Sequence, residues 1–370
     1  VRDFSRAKRI VVKIGTSTLS RQGAVDTEYV RTVARQVARL RRQGRQVVLV
    51  TSGAIGMGAG QLALPLPVQD TQTRQACAAV GQPLLMAEYR RAFARHRVTT
   101  AQVLLTADVL NQRKTYLNLR NAMERLLHMG TVPIVNENDC VATDEIGSAF
   151  GDNDRLSARI AGKLDADLLI LLSDIDGLYD KDPRRRRDAR PIRVVYDLTP
   201  DILRSAGPRG SAGATGGMKT KLDAARIAAQ AGCRMVLAHG REPDVITRIV
   251  AGEELGTLFM PKRKLGHRAR WILNSAPAGT IRVDDGAVAA LRQHKSLLPS
   301  GIIAVEGRFV AGDVVSVNDQ AKAVTRLGAD ELRAVAGKHS REIRRILGQD
   351  RTDVVAIPED IVFLDPAGAS

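Results

Sequence analysis

The residues best suited to chemistry in this chain are those that could handle phosphate. The stretch GATGGMKTK, residues 213–221, partly follows the pattern G-x-x-x-x-G-K-[ST] of a phosphate-binding loop. Gly213, Lys219 and Thr220 fall in register, but Met218 stands where the second glycine belongs. A P-loop also follows a strand directly, whereas this stretch follows the Gly-, Ser- and Ala-rich run RSAGPRGSAGATGG and precedes the helical run MKTKLDAARIAAQAG. The pattern therefore fails in residue and in context. Backbone N–H groups at a helix start, with a lysine in the first turn, still suit a phosphate; a flexible linker before a helix is the alternative. The pattern leaves open whether Lys219 or Lys221 would make the contact.

A second cation, Lys13, lies inside VVKIG among residues that should be buried. Lysine is almost never buried without a partner. A ligand phosphate at the end of a parallel strand is one reading, a snorkelling lysine on an edge strand the other. The stretch GDND, 151–154, follows NENDCVATDEIGSAF. Clustered Asp and Asn suit a metal-bound nucleotide, an amine or the orientation of lysines, and equally suit turns and N-caps, here at Asn153 or Asp154. The run SGAIGMGAG, 52–60, has G-x-G-x-G, but Gln61 breaks the dinucleotide fingerprint.

These residues need a scaffold, and the hydrophobic pattern supplies one. Apolar runs within 9–17, 46–53, 101–106, 131–136, 167–174 and 233–240 alternate with helical patterns at 27–43, 72–95, 115–129, 153–163 and 218–231. Strands that are apolar throughout, separated by helices, predict an α/β fold with a mostly parallel sheet sandwiched between helices. Ligands of such sheets bind beyond the carboxyl ends of the strands. The clusters Gly15-Thr16-Ser17, Thr51-Ser52-Gly53, Asn136-Glu137-Asn138-Asp139 and Ser173-Asp174 all fall there. After about residue 260 the texture changes to a basic, Pro/Gly-punctuated stretch and then short β-like pieces, which predicts a small β-rich second domain. The expected division is 1–260, a linker over 261–278, a second domain over 279–357 and a tail over 358–370.

Composition bounds the function. The chain has 370 residues, 44% hydrophobic but only 3% aromatic, so its core must be built from aliphatic side chains. No apolar run approaches the ~20 residues that a bilayer requires, and the charged opening VRDFSRAKRIVVKIG lacks a signal-peptide pattern, so a cytoplasmic location without membrane association is expected. The three cysteines, Cys77, Cys140 and Cys233, form no C-x-x-C pair and read as buried free thiols, with Cys140 beside Asp139 in position to line a site. No histidine pair suggests a metal, and no protein-bound metal site is expected. The net charge of +16 is spread widely and suits anionic substrates as well as nucleic acid. Its one block, Arg184–Arg187, reads as a solvated loop.

Six segments together resemble a known family. VVKIGTS, VTSGAI, PIVNENDCVAT, GDNDRLSA, LLSDIDGLYDKDP and TGGMKTKLDAA, in this order, resemble the glutamate 5-kinases of the amino acid kinase family. The tail GTIRVDDGAVAAL…KSLLPSGI…VEGRFVAGDVV resembles the PUA domain that ends many bacterial members. The resemblance implies the amino acid kinase fold and ATP- and Mg²⁺-dependent phosphorylation of the L-glutamate side-chain carboxylate, the first step of proline synthesis from glutamate. It implies that Lys13 and Lys221 stabilise the phosphoryl group, that Asp154 holds the two lysines, and that Ser52, Asp139 and Asn153 bind glutamate. It assigns ATP contacts to Lys13, Ser173, Asp174, Thr215, Gly216, Gly217, Met218, Lys219, Thr220 and Lys221, with Lys221 the principal lysine of the loop. The family usually has threonine where Ser173 stands, and the SAF of 148–150 departs from its pattern. Inhibition by L-proline, assembly as a dimer or tetramer, and hand-over of the labile acyl phosphate to glutamyl phosphate reductase are further implications of the resemblance. The rival reading is an RNA-binding PUA protein with a related small-molecule kinase activity. RNA recognition commonly uses aromatic platforms, and the stretch TIRVDDGAVAALRQHKSLLPSGIIAVEGRF has one aromatic, Phe309.

Overall fold

A computed structural model describes residues 2–21, 24–141, 153–183, 186–205, 217–261, 267–348 and 353–364. The chain divides into two compact units, residues 1–109 with 118–264, and residues 110–117 with 265–370.

The first unit is built on an eight-stranded sheet. Its strands are β1 (Arg9–Ile14), β2 (Gln46–Val50), β3 (Thr100–Leu105), β4 (Val132–Glu137), β5 (Leu168–Ser173), β6 (Val194–Val195), β7 (Arg234–His239) and β8 (Thr257–Phe259), in the order β6-β8-β7-β5-β1-β2-β4-β3. Every pairing is parallel except that of β7 with β8. The helices that connect them are α1 (Thr27–Arg42), α2 (Ala54–Gln61), α3 (Thr71–Ala94), α4 (Arg113–His128), α5 (Asn153–Lys163), α6 (Met218–Gln230) and α7 (Val245–Val250). The strands β6 and β8 and the helices α2 and α7 are too short for periodicity to reveal, and the sequence reading passes over them.

Local chemistry accounts for the element ends. Asp26 caps α1 by accepting from the Tyr29 N–H, Arg39, Arg41 and Arg42 complement the dipole in its last turn, and Gly44 leaves the helix at φ +79°. Val30, Val33, Val37 and Leu40 lie on the buried face of α1. The core is aliphatic, as the composition requires: Ile10, Val12 and Ile14 of β1 pack with Leu49, Ile134, Ile170 and Val236 from neighbouring strands.

Helices α2 and α3 approach so closely that only glycine fits at two positions. A Cβ on Gly58 would lie 1.8 Å from the Cys77 carbonyl oxygen, and one on Gly81 would lie 1.8 Å from that of Ala54. Cys77 is buried in this contact, Cys233 is buried near β7, and Cys140 is exposed, so the expectation of buried thiols holds for two of the three.

The second unit contains a five-stranded sheet, Ile302–Gly307, Gly279–Val283, Val314–Val317, Ala321–Val324 and Ile361–Phe363 in spatial order. The last of these strands pairs with Ala321–Val324 and lies within the residues that the sequence reading leaves in a tail. The expected linker likewise holds a helix, His267–Asn274, whose Trp271 and Ile272 are buried against Val314 and Val324. Lys322 Nζ donates to the Leu273 and Ser275 carbonyls at 2.8 and 2.7 Å and so closes the end of that helix. Phe309 is buried in this unit's core and offers no stacking surface to RNA bases. Among the described residues, no helix is long and apolar enough to cross a membrane.

The contact between α2 and α3 generates a prediction. Gly81→Ala should destabilise the first unit by about 2 kcal/mol or more, because backbone atoms would have to move. Gly56→Ala, on the same pair of helices but with nothing within 4 Å of the added Cβ, should be neutral or stabilising by up to about 1 kcal/mol. Thermal melting of both variants checks the contrast, and equal melting temperatures would refute it.

Candidate active site

The carboxyl ends of β1, β2 and β5 are tied into one rim. The Gly15 N–H donates to the Leu172 carbonyl at 3.2 Å. The Ser52 hydroxyl donates to the Ile14 carbonyl at 2.9 Å, and the Gly240 N–H donates to the Ser173 carbonyl at 2.8 Å. Strand β1 lies in the middle of the sheet, where Lys13 is level with Val50 on one side and Leu171 on the other. The edge-strand reading of Lys13 is thereby overturned, and its side chain is buried.

Its partner is Asp154, in the first turn of α5 and 0% exposed. Lys13 Nζ, on a side chain only 4% exposed, lies 2.5 Å from Asp154 Oδ1. Lys221 Nζ, 5% exposed and in the first turn of α6, lies 3.2 Å from Asp154 Oδ2. The Thr220 hydroxyl is within 3.3 Å of the same Oδ2 and 2.8 Å from the Gly217 carbonyl oxygen. Among the described residues, one carboxylate lies between the two ammonium groups, in a place where burial makes charge expensive. Two buried amines side by side suit an incoming anion.

Lys219 and Lys221 are now separated. Lys219 is exposed, while Lys221 faces inward against Asp154. Gly217 precedes α6 with φ −86°, a backbone that any residue adopts, and Met218 is half-buried as the first helical residue. Thr215 and Gly216 lie outside the described residues, as do Gly151 and Asp152 of GDND and the SAF of 148–150. Helix α5 begins at Asn153 itself, so neither Asn153 nor Asp154 is its N-cap. Ser173 is buried at the end of β5 and donates to Asp174 Oδ1 at 3.0 Å, and Asp174 is exposed.

Beside the lysines lies a cluster of side-chain amides. Asn153 Nδ2 donates to the Thr51 carbonyl at 2.6 Å and to Asn136 Oδ1 at 3.0 Å. Asn136 Nδ2 donates in turn to Gln82 Oε1 at 2.8 Å, and the Thr51 and Tyr89 hydroxyls are 2.9 Å apart. Asn136 and Thr51 fall in strand-end clusters of the sequence, but no pattern there gives a role to Asn136, Gln82, Thr51 or Tyr89. The available signal was a glutamine in Gly81-Gln82-Pro83, inside an otherwise helical run on its buried side.

At the end of β4 and in the loop after it, Glu137 and Asp139 are half-buried. Burial pushes Asp139 up to about 6, against the pull of Arg74. Burial and then the charge of Asp139 push Glu137 up to about 7, again opposed by Arg74. Two carboxylates raised in this way favour a cation as their third partner.

The comparisons with known proteins agree with this architecture. The model of the amino acid kinase family matches residues 8–239, and that of the PUA domain matches residues 279–347. The chain is 44% identical to the glutamate 5-kinase of Methanosarcina mazei, over 98% of this chain and 97% of the relative. It is 44% identical to that of Carboxydothermus hydrogenoformans, over 98% and 99%, and 45% identical to that of Methanococcoides burtonii, over 96% of each. Among solved structures, isopentenyl phosphate kinase from T. acidophilum aligns over 68% of this chain and 99% of its own, at 19% identity and a TM-score of 0.48. With near-complete coverage by such relatives, the chain belongs to the glutamate 5-kinases of the amino acid kinase family and carries a PUA domain after its kinase domain.

Proposed function

We propose that the protein transfers the γ-phosphoryl group of ATP to the side-chain carboxylate of L-glutamate, giving L-glutamyl 5-phosphate, the first step of proline synthesis from glutamate. The observation that carries this reading is the buried pair of lysines sharing Asp154 at the rim of the sheet. A glutamate side chain, with an ordinary pKa of about 4.3, is already the nucleophile at neutral pH and needs no general base. What the reaction needs is alignment and neutralisation of charge on the phosphoryl group and leaving group. Lys13 and Lys221 supply those charges, and Asp154 fixes both amines. Ser173, Asp174 and the start of α6, with Gly217 through Lys221, face the nucleotide, and the family resemblance assigns Thr215 and Gly216 to the same contact.

Asp139 receives the substrate ammonium, with Ser52 and Asn153 as further glutamate contacts. Mg²⁺ binds phosphate oxygens readily and keeps several waters. The Ser173 hydroxyl and the Asp174 carboxylate are hard oxygen donors at this rim that would help hold an ion carried by the nucleotide, which would supply positive charge to the phosphate oxygens. Membership of the family further supports inhibition by L-proline, assembly as a dimer or tetramer, hand-over of product to a reductase and a cytoplasmic location.

ADP release with L-glutamate, ATP and Mg²⁺ tests the activity; none above the rate without glutamate would overturn it. Lys221→Ala should lower kcat by about 10²-fold or more, the range for losing one charge stabiliser, while Lys219→Ala has a mild effect. Equal losses would refute the assignment. Asp139 should also leave a pH signature. Its raised pKa means that the carboxylate is protonated as pH falls through about 6, and a neutral Asp139 no longer attracts an ammonium. The value of kcat/KM for glutamate, which reports the free enzyme, should therefore fall on the acid side of about pH 7, and Asp139→Asn should raise KM and flatten that limb. A wild-type profile flat from about pH 8 to 5.5 would remove Asp139 from the pocket.

A further inference from the structure

The amides beside the lysines have a direction, and the direction decides what Asn153 can offer a substrate. The anchor is the Thr51 backbone carbonyl, which can only accept. The atom of Asn153 that lies 2.6 Å from it is therefore the donor, Nδ2. The second hydrogen of that nitrogen goes to Asn136 at 3.0 Å, so Asn136 must turn Oδ1 toward Asn153. Asn136 then has only Nδ2 left for Gln82, which must answer with Oε1, at 2.8 Å. Turning either Asn136 or Gln82 alone would set like poles face to face. Both are shut from solvent, Asn136 at 1% and Gln82 at 6% exposure, so water cannot repair such a mismatch.

The far end of the relay is costly. Gln82 Nε2 is buried and has no hydrogen-bond partner among the described residues. An unpaired buried donor lowers stability, so the relay is not explained by its contribution to folding. Its effect at the near end is specific. With both Nδ2 hydrogens spent, the polar atom that half-buried Asn153 has left is Oδ1, an acceptor.

We propose that Gln82 is a positioning residue that, by accepting from Asn136, locks Asn153 with Oδ1 toward the substrate, so that Asn153 receives the α-ammonium of glutamate and not one of its carboxylates. The inference rests on the glutamate-kinase reading and adds to it a residue, a polarity and a substrate atom. Asn153 Oδ1 and Asp139 then form a pair of acceptors, one neutral and one charged, around a single –NH₃⁺. An amide turned the other way would present N–H groups, which repel an ammonium and favour a carboxylate.

The test uses steady-state ADP release by the full chain and two replacements of similar length. Gln82→Met removes the acceptor and Gln82→Glu keeps one. The methionine variant should raise KM for L-glutamate about tenfold, the equivalent of one contact of about 1.4 kcal/mol, with kcat and KM for ATP within about twofold. The glutamate variant should stay within about threefold of wild type. Glutarate, which lacks the ammonium, serves as a competitive inhibitor whose Ki should hold in the methionine variant. Should Gln82→Met melt below the assay temperature, Gln82→Asn, whose amide falls one carbon short of Asn136, replaces it with the same expected result. Equal KM values in the Met and Glu variants, or a Ki for glutarate that rises in step with KM for glutamate, would overturn the proposal. A wild-type enzyme that releases no ADP with glutamate would overturn the functional reading instead.

Discussion

Asp154 is the constraint around which the rest of the site is arranged. A lysine in the middle of a parallel sheet, flanked by Val50 and Leu171, has no aqueous alternative, and a second lysine in the first turn of α6 is as well buried. Neither amine could hold its charge there without an anion, because removing one member of such a group leaves an uncompensated charge in the interior. Among the described residues one carboxylate serves both, one oxygen for each amine. The geometry follows: α5 must begin beside the end of β1, and α6 must start against α5, for the three side chains to meet. The Thr220 hydroxyl, held by the Gly217 carbonyl, adds a neutral contact to the same carboxylate oxygen.

The scaffold meets that constraint by packing closely. Helices α2 and α3 approach to backbone contact at Gly58 and Gly81, and Gln82, the next residue after Gly81, reaches Asn136 on β4. The tight contact and the amide relay are therefore neighbours on one helix turn. A shift of α3 away from α2 would move Gln82 relative to Asn136. Packing energy in the helical layer is in this way connected to the orientation of a polar group at the rim, without a charged residue in between.

Much of this was legible in the sequence, for identifiable reasons. Apolar strands alternating with helices predicted the parallel sheet, and the small and acidic residues at strand ends predicted its rim. Lys13 was conspicuous because a lysine in VVKIG contradicts its surroundings. The choice between Lys219 and Lys221 was not open to pattern alone, since both lie in the first turn of one helix; it depends on which side of α6 faces α5. The strand Ile361–Phe363 and the helix His267–Asn274 were missed because three apolar residues, and about two turns of basic helix, carry almost no periodic signal. Gln82 was hidden for a different reason. A buried glutamine reads as an ordinary helix residue until its partner, more than fifty positions away, is known.

The two groups of carboxylates sit in opposite environments, and the contrast bears on the chemistry. Asp154 lies between two lysines, while burial pushes Glu137 and Asp139 toward neutrality, helped at Glu137 by the charge of Asp139 and opposed at both by Arg74. On the proposed reading the first environment meets the phosphoryl group and the second meets the ammonium. A substrate with a negative end and a positive end is then oriented by electrostatics: its side-chain carboxylate is drawn to the two lysines and its amine to the acidic pair. The nucleophile is ionised beforehand, so the protein has no proton to remove, and the site is built from fixed charge and fixed amide dipoles in place of a titrating base. Such preorganised groups need little rearrangement as charge develops in the transition state, which is where their stabilising effect is largest.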